Sequence, residues 1–169
     1  MPILHRQLPR LPQHRLRKAY IIPMHLVTRK RKHLGRDPQE LYSVLFVELY
    51  ELHQIPGVGE AERITSLGQG AAIKIMDSSV ICNAKLVDVL RDLAVSREIP
   101  HQMEILPAGG TDAGAIQSAR GGIPAGVIST PTRYVHSSVE MCNKDDIQAV
   151  IALMSAFIEE GHQHDYFPQ

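Results

Sequence analysis

Tryptophan is absent from the 169-residue chain, and aromatic residues reach only 5%. Binding clefts for sugar rings favour flat aromatic platforms, so a polysaccharide-binding surface is poorly supplied. Cysteine is also scarce. Cys82 and Cys142 form no CxxC pair and no zinc-ribbon spacing, which argues against a disulfide scaffold or structural zinc and for two reduced thiols. No apolar run approaches the roughly 18 residues that a membrane-spanning helix needs. Pro2 and Arg6 interrupt the opening residues before a signal-peptide core could form, so a soluble, cytoplasmic protein is expected. Acidic residues are missing altogether before Asp37, a stretch that holds ten of the 18 lysines and arginines. Eight basic residues then face all 18 acidic ones, so the zero net charge hides two unlike segments.

Residues 1–37 read as a basic arm outside the fold, disordered or non-native, with Pro2, Pro9, Pro12 and Pro23 breaking any helix. The run Thr28-Arg29-Lys30-Arg31-Lys32-His33 is of the kind that meets phosphate, which makes nucleic-acid binding through the arm an alternative of another class. Asp37-Pro38-Gln39-Glu40 has the form of a helix start, whereas Val44 to Tyr50 is β-branched and aromatic enough for a strand. Ile55 to Gly59 breaks either element.

From Gly68 the pattern is cleaner. Strands are expected at Ala72–Met76, Met103–Leu106 and Ala125–Ser129. Helices are expected after Asn83, over Asp112–Arg120 with Gly121-Gly122 as its stop, and after Asn143. The first helix would bury Leu86, Val87, Leu90 and Leu93, and the last Ile147, Val150, Ile151, Met154 and Ile158. Alternating strands and helices predict a layered α/β sheet over residues 38–160, followed by a flexible tail at 161–169.

Ligands of open α/β sheets gather at carboxyl ends of strands, and two segments hold such places. One is Gly109-Gly110-Thr111-Asp112-Ala113-Gly114, whose glycines let backbone N–H groups approach a ligand. It is not a phosphate loop, having no Lys-Ser or Lys-Thr after it. The other is Thr132 to Glu140, where His136 is a candidate metal ligand or general base. His101 begins a strand, and His162 and His164 fall in the tail.

Five phrases, in order, carry a resemblance. They are Gly68-Gln69-Gly70, Ile73-Lys74-Ile75-Met76-Asp77-Ser78-Ser79, Glu104 through Ile116, Gly122 through Ser129, and Arg133-Tyr134-Val135-His136-Ser137-Ser138-Val139-Glu140-Met141. The stretch from about Ile55 to Glu160 resembles the C-terminal portion of the glutamyl and deblocking aminopeptidases, metallopeptidases that form tetrahedral dodecamers. The resemblance implies an incomplete three-layer α/β/α sheet and a metal-dependent hydrolase removing N-terminal residues from peptides. It also implies two divalent metals, zinc or cobalt, bridging an activated water. His136 matches the last metal ligand of that family, Glu48 falls where another ligand is expected, and Gly109, Gly110, Thr111 and Asp112 match a substrate-cleft loop. Asp77 matches a recurrent position and reads as a structural carboxylate.

The earlier His, the bridging Asp and the Glu-Glu pair of the family have no counterpart phrases here. We therefore expect a truncated or frame-shifted form, inactive by itself, with no catalytic residue assigned. Some relatives carry an endo-1,4-beta-glucanase label, which makes cellulase activity the alternative enzyme reading. A non-catalytic packing partner of full-length relatives is a third.

Overall fold

The computed structural model describes residues 44–51, 63–119 and 122–166, with side-chain detail from Arg63 onward. The basic arm, the helix start at Asp37-Pro38, the Ile55–Gly59 break and the Gly121 stop lie outside the described residues.

Among the described residues five strands form one mixed sheet: β1 (Val44–Glu51), β2 (Ala71–Met76), β3 (His101–Ile105), β4 (Ala125–Arg133) and β5 (Met141–Cys142). Their order is β1-β4-β2-β3, with β5 also beside β4. β1 runs parallel to β4 along its whole length, from Val44 opposite Ala125 to Glu51 opposite Thr132. Val44 to Tyr50 thus belongs to a strand, the choice its β-branched residues favour. β2 is parallel to β3 and antiparallel to β4. β4 continues past the expected Ser129 because β2 pairs with it only at Ile128 and Ser129, and β5 takes over at Thr132 and Arg133. Pro131, which has no N–H to give, stands between these two pairings.

Among the described residues three helices pack on the sheet: α1 (Ala84–Ser96), α2 (Asp112–Gln117) and α3 (Lys144–Glu160). Asn83 caps α1 by accepting the Leu86 N–H at 3.1 Å, and Asn143 caps α3 by accepting the Asp145 N–H at 2.9 Å. α1 buries Leu86, Val87, Leu90 and Leu93 as its periodicity predicts. α2 is shorter than expected and closes at Ser118, whose amide bonds the Gly114 carbonyl.

α3 corrects the sequence expectation. Its buried residues are Asp146, Ala149, Val150, Leu153, Met154, Ala156 and Phe157, while Ile151 and Ile158 are 53% and 48% exposed. Both stripes satisfy helical periodicity, so hydrophobicity alone does not choose between them. The choice follows from Asp146, whose two carboxylate oxygens each accept a backbone N–H at 2.7 Å, from Gly68 and from Gly70. That anchor turns Asp146 inward and Ile147 partly outward.

The expected tail folds back at its start. After a 3-10 turn at Gly161–Gln163, Tyr166 is buried; its hydroxyl donates to the Gly161 carbonyl at 2.5 Å, and its backbone carbonyl accepts the Asn83 side-chain amide at 2.9 Å.

Candidate functional site

Parallel pairing of β2 and β3 brings the loops that follow them to one end of the sheet. Asp77 organises the first loop. One oxygen, Oδ1, accepts the Ser79 amide at 2.8 Å, the Ser79 hydroxyl at 2.7 Å and the Val80 amide at 2.9 Å. The second loop is stitched to it: Ser78 gives both its amide (3.0 Å) and its hydroxyl (2.6 Å) to the Gly109 carbonyl. The Thr111 amide donates to Ser79 Oγ at 3.0 Å. Gly109 takes a φ of 104°, a region favoured by glycine. A Cβ on Gly110 would sit 2.9 Å from the Ser79 Cβ, and one on Gly114 would sit 2.5 Å from the Ser79 carbonyl oxygen. Glycine is thus required for close approach of the loops, with Asp112 opening α2 directly afterwards.

Two further charges sit behind this clasp, on the two strands that carry it. Lys74 on β2 and Glu104 on β3 are register partners, and both are buried. Lys74 Nζ lies 3.4 Å from Asp77 and 3.5 Å from Glu104. Burial pushes the Asp77 carboxyl up, but the Ser79 hydroxyl and amide, the Thr111 side chain and the Lys74 charge together hold it below its ordinary value. Glu104 moves the other way: burial dominates and raises it, with Lys74 and Ser129 only partly opposing. These two residues belong to the phrases quoted above, yet sequence reasoning gave them no role. The signal was available, since each interrupts a short apolar strand, Ile73-Lys74-Ile75 and Met103-Glu104-Ile105.

His136 lies elsewhere. Because β4 is antiparallel to β2, its carboxyl end reaches the opposite end of the sheet. Ala72 faces Ser129 and Ile73 faces Ile128; Ala125 lies toward the carboxyl end of β2, its carbonyl accepting the Asn83 amide, while Thr132 and Arg133 at the other end of β4 pair with β5. The eight-residue advance from Ala125 to Arg133 corresponds to about 26 Å along the strand. His136 and the Gly109–Asp112 loop are therefore not brought together, although each follows the end of a strand. Glu48, by contrast, lies on β1 level with Ser129, and β1 and β4 run to the same end.

The His136 segment is conformationally unusual. Tyr134 and His136 both take left-handed backbone angles, φ 59° and 64°, which cost about 1–3 kcal/mol each unless surroundings hold them. Part of that hold comes from Glu140, whose Oε1 accepts the His136 amide at 2.7 Å. The His136 side chain is exposed. Among the described residues no three His, Cys, Asp or Glu side chains converge as a metal would require, so they do not by themselves fit a two-metal centre. Cys82 is buried and Cys142 exposed.

Comparison with known proteins gives this geometry a family. The model of the M42 glutamyl aminopeptidases matches residues 39–153. A relative from Acetivibrio thermocellus with a provisional aminopeptidase name is 48% identical over 52% of this chain and 26% of its own length. The lysyl aminopeptidase of Pyrococcus furiosus is 30% identical over 94% of this chain and 53% of its own length. The chain thus spans from about a quarter to about half of these relatives. Among solved structures, an aminopeptidase of Desulfurococcus kamchatkensis superposes with a TM-score of 0.68 at 37% identity, covering 70% of this chain and 34% of that one. A Thermotoga maritima protein described as an endoglucanase gives 0.53 at 29%, covering 69% and 33%. A Pyrococcus horikoshii peptidase described as assembling into a tetrahedron or a large octahedral shell gives 0.52 at 27%, covering 69% and 31%. With the model matched over more than half of its length, the chain belongs to the M42 glutamyl aminopeptidase family.

Proposed function

We propose that the chain serves metal-dependent removal of N-terminal residues from peptides, with His136 contributing one metal donor and the Gly109–Asp112 loop, at the opposite end of the sheet, lining a peptide cleft apart from that donor. The observation that carries the role of His136 is its placement. A strained strand-end segment, clasped by Glu140, sits at the end of the sheet toward which β1, the strand of Glu48, also runs. Strain of this kind gathers at functional sites, where the fold fixes a side chain that local sequence would leave loose.

The described residues supply His136 without a converging donor set. We therefore assign this chain a share of a catalytic centre, with further donors outside the described residues or on another chain. The partner in an assembly is then a copy of this chain or a longer M42 relative, as in the shell-forming Pyrococcus horikoshii peptidase.

The test uses the whole chain with zinc or cobalt. Saturable zinc binding weakened at least about tenfold by His136→Ala, one unit in log K or about 1.4 kcal/mol, supports the assignment. Turnover of aminoacyl-nitroanilides by the chain alone should be negligible. A dipeptide amide should shift amide resonances of the Gly109–Asp112 loop, and cellotetraose should not. Robust metal-dependent turnover unaffected by His136→Ala would remove His136 from the mechanism. Hydrolysis of carboxymethylcellulose without peptide recognition would replace the peptidase reading with the glucanase one.

A further inference from the structure

Lys74 is fully buried in β2, where an ammonium group loses its hydration. Among the described residues its Nζ lies between Asp77 Oδ2 at 3.4 Å and Glu104 Oε1 at 3.5 Å, both carboxylates being buried as well. Among the described residues these three groups, if all ionised, carry one excess negative charge, an arrangement that burial penalises. The two carboxylates are not equivalent. Asp77 is held by three donors of its own loop, whereas neither oxygen of Glu104 accepts a hydrogen bond among the described residues. Glu104 is therefore the less firmly held of the two carboxylates.

We propose that Lys74 and Glu104 are positioning residues for the Gly109–Asp112 loop. Lys74 holds Asp77, Asp77 holds Ser79, Ser79 holds Thr111, and the proton on Glu104 decides how much of the lysine's charge Asp77 keeps. The functional meaning rests on the cleft reading of that loop; the positioning itself does not. With Glu104 protonated, Lys74 belongs to Asp77 and the clasp is tight. When Glu104 ionises it competes for the same ammonium, and the loops lose part of their tether. Among the described residues the groups facing Glu104 are Lys74 on β2, Asp77 beyond it, Ser129 on β4 and the Cys82 thiol. That thiol is pushed up to about 12, chiefly by burial, and so stays protonated. The direction at Glu104, raised by burial, agrees with this order of events.

The experiment is a pH titration of the whole chain by NMR, following the Ser79, Val80 and Thr111 amides beside the Glu104 side-chain carboxyl carbon. The expected result is one shared midpoint above the ordinary carboxylate range, absent in Glu104→Gln. Exchange of the Thr111 amide, corrected for its intrinsic pH dependence, should become about tenfold faster above that midpoint. An unchanged midpoint in Glu104→Gln, or loop amides that do not follow the Glu104 carbon in the native chain, would overturn the proposal. The second comparison needs no variant, so it decides even if Glu104→Gln fails to fold. Loop amides that follow Glu104 but ignore a dipeptide amide would leave the positioning intact and remove only the cleft reading.

Discussion

Asp146→Ala is the most informative single substitution, because it removes one small group that links two elements. The native carboxylate is fully buried and accepts the Gly68 and Gly70 amides at 2.7 Å each. Hydrogen bonds to a charged acceptor contribute about 1.5–3 kcal/mol each. Allowing for overlap between two bonds to one carboxylate, and adding a few tenths for an anion in the first turn of α3, the expected loss is about 4 kcal/mol. For a chain of this length that corresponds to a fall in Tm of about 8–16 °C. Asp146→Asn keeps an acceptor for one amide and turns a donor toward the other, so its loss should be about half to two thirds as large. Urea unfolding followed by circular dichroism measures both, with an unchanged m-value showing that the transition stays cooperative. A loss below about 1 kcal/mol for Asp146→Ala would show that the carboxylate does not set the rotation of α3, and would refute the explanation given for its buried face. Because Gly68 packs against Asn143, which directly follows β5, the variant should also move the resonances of the β5 residues Met141 and Cys142.

Gly70→Ala should be severely destabilising, by about 3 kcal/mol or more. The new Cβ would fall 2.0 Å from the Pro100 carbonyl oxygen at a φ of 88°, and backbone cannot step aside as a flexible side chain can; thermal melting checks it. The contribution of the Asp77 and Glu104 pair to stability should fall on both sides of an acidic optimum. Asp77, lowered below its ordinary 3.8, contributes above that value and loses its contribution as pH falls through its folded value. Glu104, raised above 4.5, contributes below that value and loses its contribution as pH rises through its folded value. Denaturation curves across pH should therefore show a descending limb that Glu104→Gln flattens. Thiol labelling under native conditions should modify Cys142 first, with Cys82 protected until unfolding, since one is exposed and the other buried.

Local chemistry was enough to read much of the fold. Asn83 and Asn143 cap their helices because a side-chain carbonyl satisfies an amide that the helix leaves unpaired. Leu86, Val87, Leu90 and Leu93 share a face through helical periodicity, and Val44 to Tyr50 are strand formers. The ordered phrases from Gly68 to Met141 pointed to the family, and the matching model bears that out. What the sequence could not fix were quantities that depend on partners distant along the chain. Strand direction is one. Both Gly109–Asp112 and His136 follow strands, yet antiparallel pairing of β2 with β4 sends them to opposite ends of the sheet. The buried face of α3 is another, since periodicity admits two neighbouring stripes and the two hydrogen bonds that Asp146 accepts from the Gly68 and Gly70 amides select one. The last is the role of Lys74 and Glu104. They are 30 positions apart in sequence and become a charge cluster only when β2 and β3 align side by side, where removal of water makes each charge depend on the others.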